Sequence, residues 1–84
     1  MKRYYVDANT GRIERVDLYL VRLIRADGSV LEPLEPRRLF PFTDPSKYVS
    51  LLDTEEKEVA LIRDMNDLDR DSAKVLEEVI EMMS

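Results

Sequence analysis

Within residues 48–83 the apolar period changes from two to nearly four, and this constrains the chain more than any other feature. Tyr48, Ser50 and Leu52 alternate with Val49 and Leu51; Val59 and Leu61 alternate with Ala60 and Ile62. A period of two marks extended chain with opposite faces in different surroundings. The acidic run Asp53-Thr54-Glu55-Glu56-Lys57 between these segments has no glycine, so the predicted hairpin has a looser connection than a two-residue turn. After the corner Asp64-Met65-Asn66-Asp67-Leu68-Asp69 the period lengthens. Ala73, Leu76, Val79, Ile80 and Met83 recur at helical spacing and predict a helix over 70–83, about 20 Å long, with that stripe on the sheet. Asp69 is the expected N-cap: its carboxylate can accept a first-turn N–H and suits the positive end of the helix dipole. Asp71 adds to the same effect, and Glu77, Glu78 and Glu81 fall outward.

The first half carries weaker signals. Tyr4-Tyr5-Val6-Asp7 followed by Asn9-Thr10-Gly11 reads as a small hairpin or an arm ending in a turn. Residues 17–25 read as a strand, because β-branched and aromatic side chains dominate and Asp27-Gly28 supplies the positive φ of a tight hairpin. Its expected partner is the stretch 29–34. Pro33 and Pro36 each remove a ladder donor, so that stretch is expected to be an edge strand running into a connector. Phe40 and Phe42 are expected core anchors, and Thr43-Asp44-Pro45-Ser46 a turn.

Composition limits the chemistry. The 84 residues contain no cysteine and no histidine. Disulfides, zinc sites of thiolate or imidazole, thiol nucleophiles and histidine-based triads are therefore excluded within this chain. The lack of cysteine fits a cytoplasmic setting. Met1-Lys2-Arg3 is basic, but Asp7 interrupts the apolar residues after it, so the start does not read as a signal peptide, and no apolar run is long enough to span a bilayer. Residues 1–42 hold eight Lys/Arg against six Asp/Glu, and residues 43–84 five against twelve, which leaves the chain at −5. An acidic second half repels phosphate backbones, so neither nucleic acid nor direct membrane insertion is expected. It reads first as a solvated face and second as a surface for a basic partner.

Three groups of side chains invite a functional reading. Asp64, Asp67, Asp69 and Asp71 could hold a metal, but Met65 and Leu68 interrupt them and the central glycine of a calcium loop is missing, so turn and cap chemistry is favoured. Arg37 and Arg38 beside Phe40 and Phe42 could meet phosphate; pairing with neighbouring acids is favoured instead. The helix stripe with Met82 and Met83 could seek a partner, although such stripes are more often core. No catalytic, cofactor or metal residue is assigned.

Several short motifs in order resemble a known family. They are the run from Arg38-Leu39-Phe40-Pro41-Phe42 through Asp44-Pro45-Ser46-Lys47-Tyr48-Val49-Ser50-Leu51, then Lys57-Glu58-Val59-Ala60-Leu61-Ile62-Arg63-Asp64, then Leu68-Asp69-Arg70-Asp71-Ser72 with Leu76-Glu77-Glu78. Together, over roughly residues 30–81, they resemble a bacterial domain family of unknown function associated with cyanophycin-metabolism genes and with the C-termini of some ABC transporters. Ala60 stands where that family often has glycine, and the Arg-Tyr-Phe motif that usually follows the helix is not reached. The resemblance implies the N-terminal half of a longer domain and an accessory role near a transporter or a storage-polymer pathway. It supplies no catalytic residue.

The chain is thus read as one small α+β domain over 1–84: an antiparallel sheet of four or five strands with one C-terminal helix packed on it. The expected function is a non-catalytic binding or regulatory module with a protein partner, a transporter or pathway protein. The alternative is a metabolite sensor or accessory enzyme for an Arg/Asp-rich polymer or dipeptide, whose arginines acidic residues could attract. Self-association as a homodimer is expected from the short chain and small sheet, with the acidic half and any open sheet edge as contact surfaces.

Overall fold

The alternation at residues 48–62 becomes a hairpin, and the rest of the sheet grows from it. The computed structural model describes residues 3–83; Met1 and Lys2 of the basic start, and Ser84, lie outside the described residues. Five strands, β1 (Gly11–Arg15), β2 (Val21–Arg25), β3 (Val30–Arg38), β4 (Lys47–Leu52) and β5 (Glu58–Asp64), form one antiparallel sheet in sequential order. A 3-10 turn at Met65–Asp67 leads into the helix α1 (Arg70–Met83). The fold is α+β, with a curled five-stranded sheet wrapped on one C-terminal helix. Among the described residues no helix is long and apolar enough to cross a membrane.

The prolines do not push β3 to an edge. It is the central strand, and each of its halves is paired on one side. Val30, Leu31 and Leu34 pair with β2, whereas residues 35–38 pair with β4. Between Leu31 and Leu34 the register against β2 shifts, so Glu32 and Pro33 sit in a bulge, where a missing donor disturbs no ladder. Pro36 lies opposite Leu51 in the half with no β2 partner. The change of partner along one strand lets the sheet curl.

The strand expected over 17–25 is shorter. It starts at Val21, and residues 16–20 are the turn joining β1 to β2. Asp17 makes that turn: its carboxylate accepts from the N–H groups of Tyr19 (2.9 Å) and Leu20 (3.0 Å), and Val16 N–H reaches Leu20 O at 2.9 Å. Val16, Leu18 and Tyr19, which carried part of the alternation, are exposed there. The expected turn at Asp27-Gly28 is present, with Gly28 at φ 88°. Gly11 serves closeness instead of a turn. It lies in β1, and a Cβ there would stand 2.9 Å from Leu23 Cδ1.

Both outer edges of the sheet are occupied. Before β1, residues 4–6 run beside β5: Leu61 N–H donates to Tyr4 O (2.8 Å) and Val6 N–H to Leu61 O (3.0 Å). The Asp7 carboxylate then accepts from Asn9 and Thr10 N–H and turns the chain into β1. This is an arm ending in a turn, not a separate hairpin. At the opposite edge, β1 meets the start of α1. The core fills the concave side: Ile13, Leu23, Leu34, Val49, Leu51 and Ile62 pack with Leu76, Val79 and Ile80. Burying a Leu or Ile side chain contributes about 1.5–3 kcal/mol, so this shared cluster is the main source of stability.

Candidate functional site

The acidic corner is committed to backbone. Asp64 caps the 3-10 turn, accepting from Asn66 N–H at 2.9 Å. Asp69 caps α1, with one carboxylate oxygen accepting from Ser72 N–H at 2.7 Å and the other from Ser72 Oγ at 2.9 Å. Ser72 Oγ in turn accepts from Ile13 N–H at 2.8 Å, inside the protein. One chain of hydrogen bonds thus closes the helix N-terminus and the β1 edge together. Ser72 was missed as a structural residue in the sequence; the spacing Asp69-x-x-Ser72 was the available signal. Among the described residues no group of three or more Asp or Glu is placed to hold a metal.

The arginine pair divides. Arg37 lies 3.3 Å from both Glu35 and Glu56, and these hydrogen bonds, first to Glu56 and then to Glu35, raise its pKa. Pairing with acids was the expected role. Arg38 points elsewhere. It borders two adjoining cavities beside the last turns of α1, of about 210 and 360 Å³. The smaller is lined by Pro36, Pro41, Ile80 and Met83 among others. The larger has Met65, Ile80 and Pro45 as apolar lining, and Arg38, Glu77 and Glu81 as its charges.

The aromatic residues of the β3–β4 connection are not core. Phe42 is 98% exposed and Phe40 50% exposed, contrary to the expectation that they anchor the interior. The loop explains why. Leu39 N–H donates to Tyr48 O (3.0 Å), Asp44 N–H to Phe40 O (3.0 Å) and Lys47 N–H to Asp44 O (3.1 Å). These successive turns, with Pro41 and Pro45 in them, carry residues 40–43 off the sheet. Phe40 instead packs edge-on against Tyr48, with ring centroids 5.7 Å apart. Tyr48 itself has φ 57°, an uncommon conformation for a bulky side chain. Met83, expected against the sheet, is 39% exposed at the end of α1. The pairing of two phenylalanines with Pro41, Asp44 and Pro45 was the sign that this segment turns too tightly to bury both rings.

These features define an α+β domain whose acidic corner caps its helix and whose exposed apolar side chains fall mainly at the β1–β2 turn and at the β3–β4 loop with the end of α1. The chain belongs to the family described as Domain of unknown function (DUF1854), whose model matches residues 31–84. That match starts in β3 and covers the rest of the sheet and α1. No curated protein and no solved structure matches the chain.

Proposed function

We propose that this chain is a non-catalytic binding module that acts through the face formed by the β3–β4 loop and the end of α1. One observation carries the reading: Leu39, Phe40, Phe42, Tyr48 and Met83 are all exposed around the same corner of the fold. Contiguous exposed apolar surface on a small domain marks an interaction site. The carboxylates that might have supported chemistry are occupied as caps, as described for Asp64 and Asp69. The lack of cysteine supports a cytoplasmic setting, and the motif resemblance supports a role as an accessory to an ABC transporter or to a cyanophycin-related pathway.

A titration with arginine and with the aspartyl-arginine dipeptide, followed by amide chemical shifts, tests the module against a sensor. The module reading expects no saturable shifts at millimolar ligand. Saturable shifts around Arg38, Glu77 and Glu81 would replace it with a metabolite sensor.

A further inference from the structure

The face described above carries both a projection and a recess. Phe42 stands fully in solvent on the loop whose Pro45 and Ser46 form one wall of the larger cavity. Met65 and Ile80 give that cavity an apolar lining, and α1 supplies the opposite wall through Glu77 and Glu81. The strand end supplies Arg38. Neither Arg38 nor the two glutamates has an ion-pair partner among the described residues, although Arg15, Arg22 and Arg37 all lie beside acids. The recess therefore offers an apolar bed with one cation and two anions on its rim.

We infer that the occupant of this recess is Phe42 of a second copy of the chain, in a reciprocal two-fold dimer. The inference rests on the reading that this face is a binding surface and names its partner. A two-fold interface needs a self-complementary patch, in which residue i meets j and j meets i. Ring and recess share one loop, so an axis beside that loop can seat each Phe42 in the other copy's cavity. The same axis brings Arg38 of each copy toward Glu77 and Glu81 of the other, so the rim charges are complementary to themselves.

The area agrees with a reversible dimer. An aromatic side chain carries about 150–250 Å², so Phe42 with the exposed halves of Phe40 and Tyr48 offers about 400 Å². Leu39 and Met83 bring this to on the order of 500 Å², short of the ~800 Å² per partner of a standard interface. Self-association should thus be concentration-dependent, with Phe42 as its anchor. The sheet edges are partly covered, by Ser72 at Ile13 and by residues 4–6 at Leu61.

Sedimentation equilibrium over a concentration series up to hundreds of micromolar tests the inference. The wild-type chain should shift from monomer to dimer. Phe42→Asp should raise the dissociation constant at least about tenfold, while Tyr19→Asp, on the exposed β1–β2 turn, should leave it unchanged. Arg38→Glu alone and Glu77→Arg/Glu81→Arg alone should each weaken the dimer, and an equimolar mixture of the two should restore it as a mixed dimer. Circular dichroism of each variant checks that the surface change leaves the fold intact. A monomer at every concentration, or a dimer indifferent to Phe42→Asp, overturns the inference. Either result leaves the binding-module reading standing, since that reading fails through the arginine titration instead.

Discussion

The two ends of α1 are built on opposite terms. At its start, Asp69, Ser72 and the Ile13 amide form a closed series of hydrogen bonds, with Ser72 buried. At its end, Met83 and the neighbouring β3–β4 loop leave apolar side chains in water, and Arg38, Glu77 and Glu81 have no ion-pair partner among the described residues. Both ends belong to one helix about four turns long. The contrast teaches that hydrogen bonds lock one end of the helix to the sheet, while the other end leaves the exposed side chains on which the proposed binding role rests.

Unfolding and titration measurements press on that contrast. Leu76→Ala, in the stripe that joins the two ends, should lower stability by about 2–5 kcal/mol in urea unfolding, because the side chain is fully buried. A smaller loss would mean the helix is not held by its buried stripe. Ser72→Ala should cost about 1–3 kcal/mol, since the Ile13 amide would remain buried without an acceptor. Asp69→Ala should cost about 1–2 kcal/mol. The double variant should lose less than the two single losses together, as Asp69 and Ser72 act as one unit.

At the open end the same measurement should show almost nothing. Phe42→Asp should change monomer stability by no more than about 0.5 kcal/mol, the range of ordinary surface substitutions. A large loss would place the ring in a core and dissolve the contrast. The smallest effect concerns acid. Asp27 is held below its ordinary pKa by the Ser29 hydroxyl, the Ser29 N–H and Arg25. A carboxylate with a lowered folded pKa contributes stability above its unfolded pKa and loses it as pH falls through the folded value. The β2–β3 turn should therefore be unaffected near neutrality and loosen only at a pH below the ordinary aspartate range, where folded Asp27 takes up its proton. A carboxyl NMR titration with its midpoint at or above the free-aspartate value would contradict this.

Legibility followed the physics of each segment. The β4–β5 hairpin, the Asp69 cap and the helix over 70–83 were readable because period, cap chemistry and turn residues agree there. The turn at residues 16–20 was hidden because Val16, Leu18 and Tyr19 continue a strand-like alternation, while the Asp17 carboxylate and the Arg15 guanidinium bind the backbone that redirects the chain. The place of β3 was misjudged because proline argues against a central strand only when both neighbours pair at the same residues. The exposure of Phe40 and Phe42 could not come from hydrophobicity, which favours burial; it comes from loop geometry, a tertiary property. Arg38 and the two helix glutamates lie 39 or more residues apart in the chain, so their shared recess exists only once the sheet has curled.

Amide hydrogen exchange at low and high protein concentration sets the two ends of α1 side by side in one experiment. The account predicts that the Ile13 amide exchanges only through global unfolding at either concentration. The amides of Phe40, Phe42 and Thr43 should exchange freely when dilute and gain protection when concentrated. Rapid exchange at Ile13, or a loop whose protection is the same at both concentrations, would contradict it.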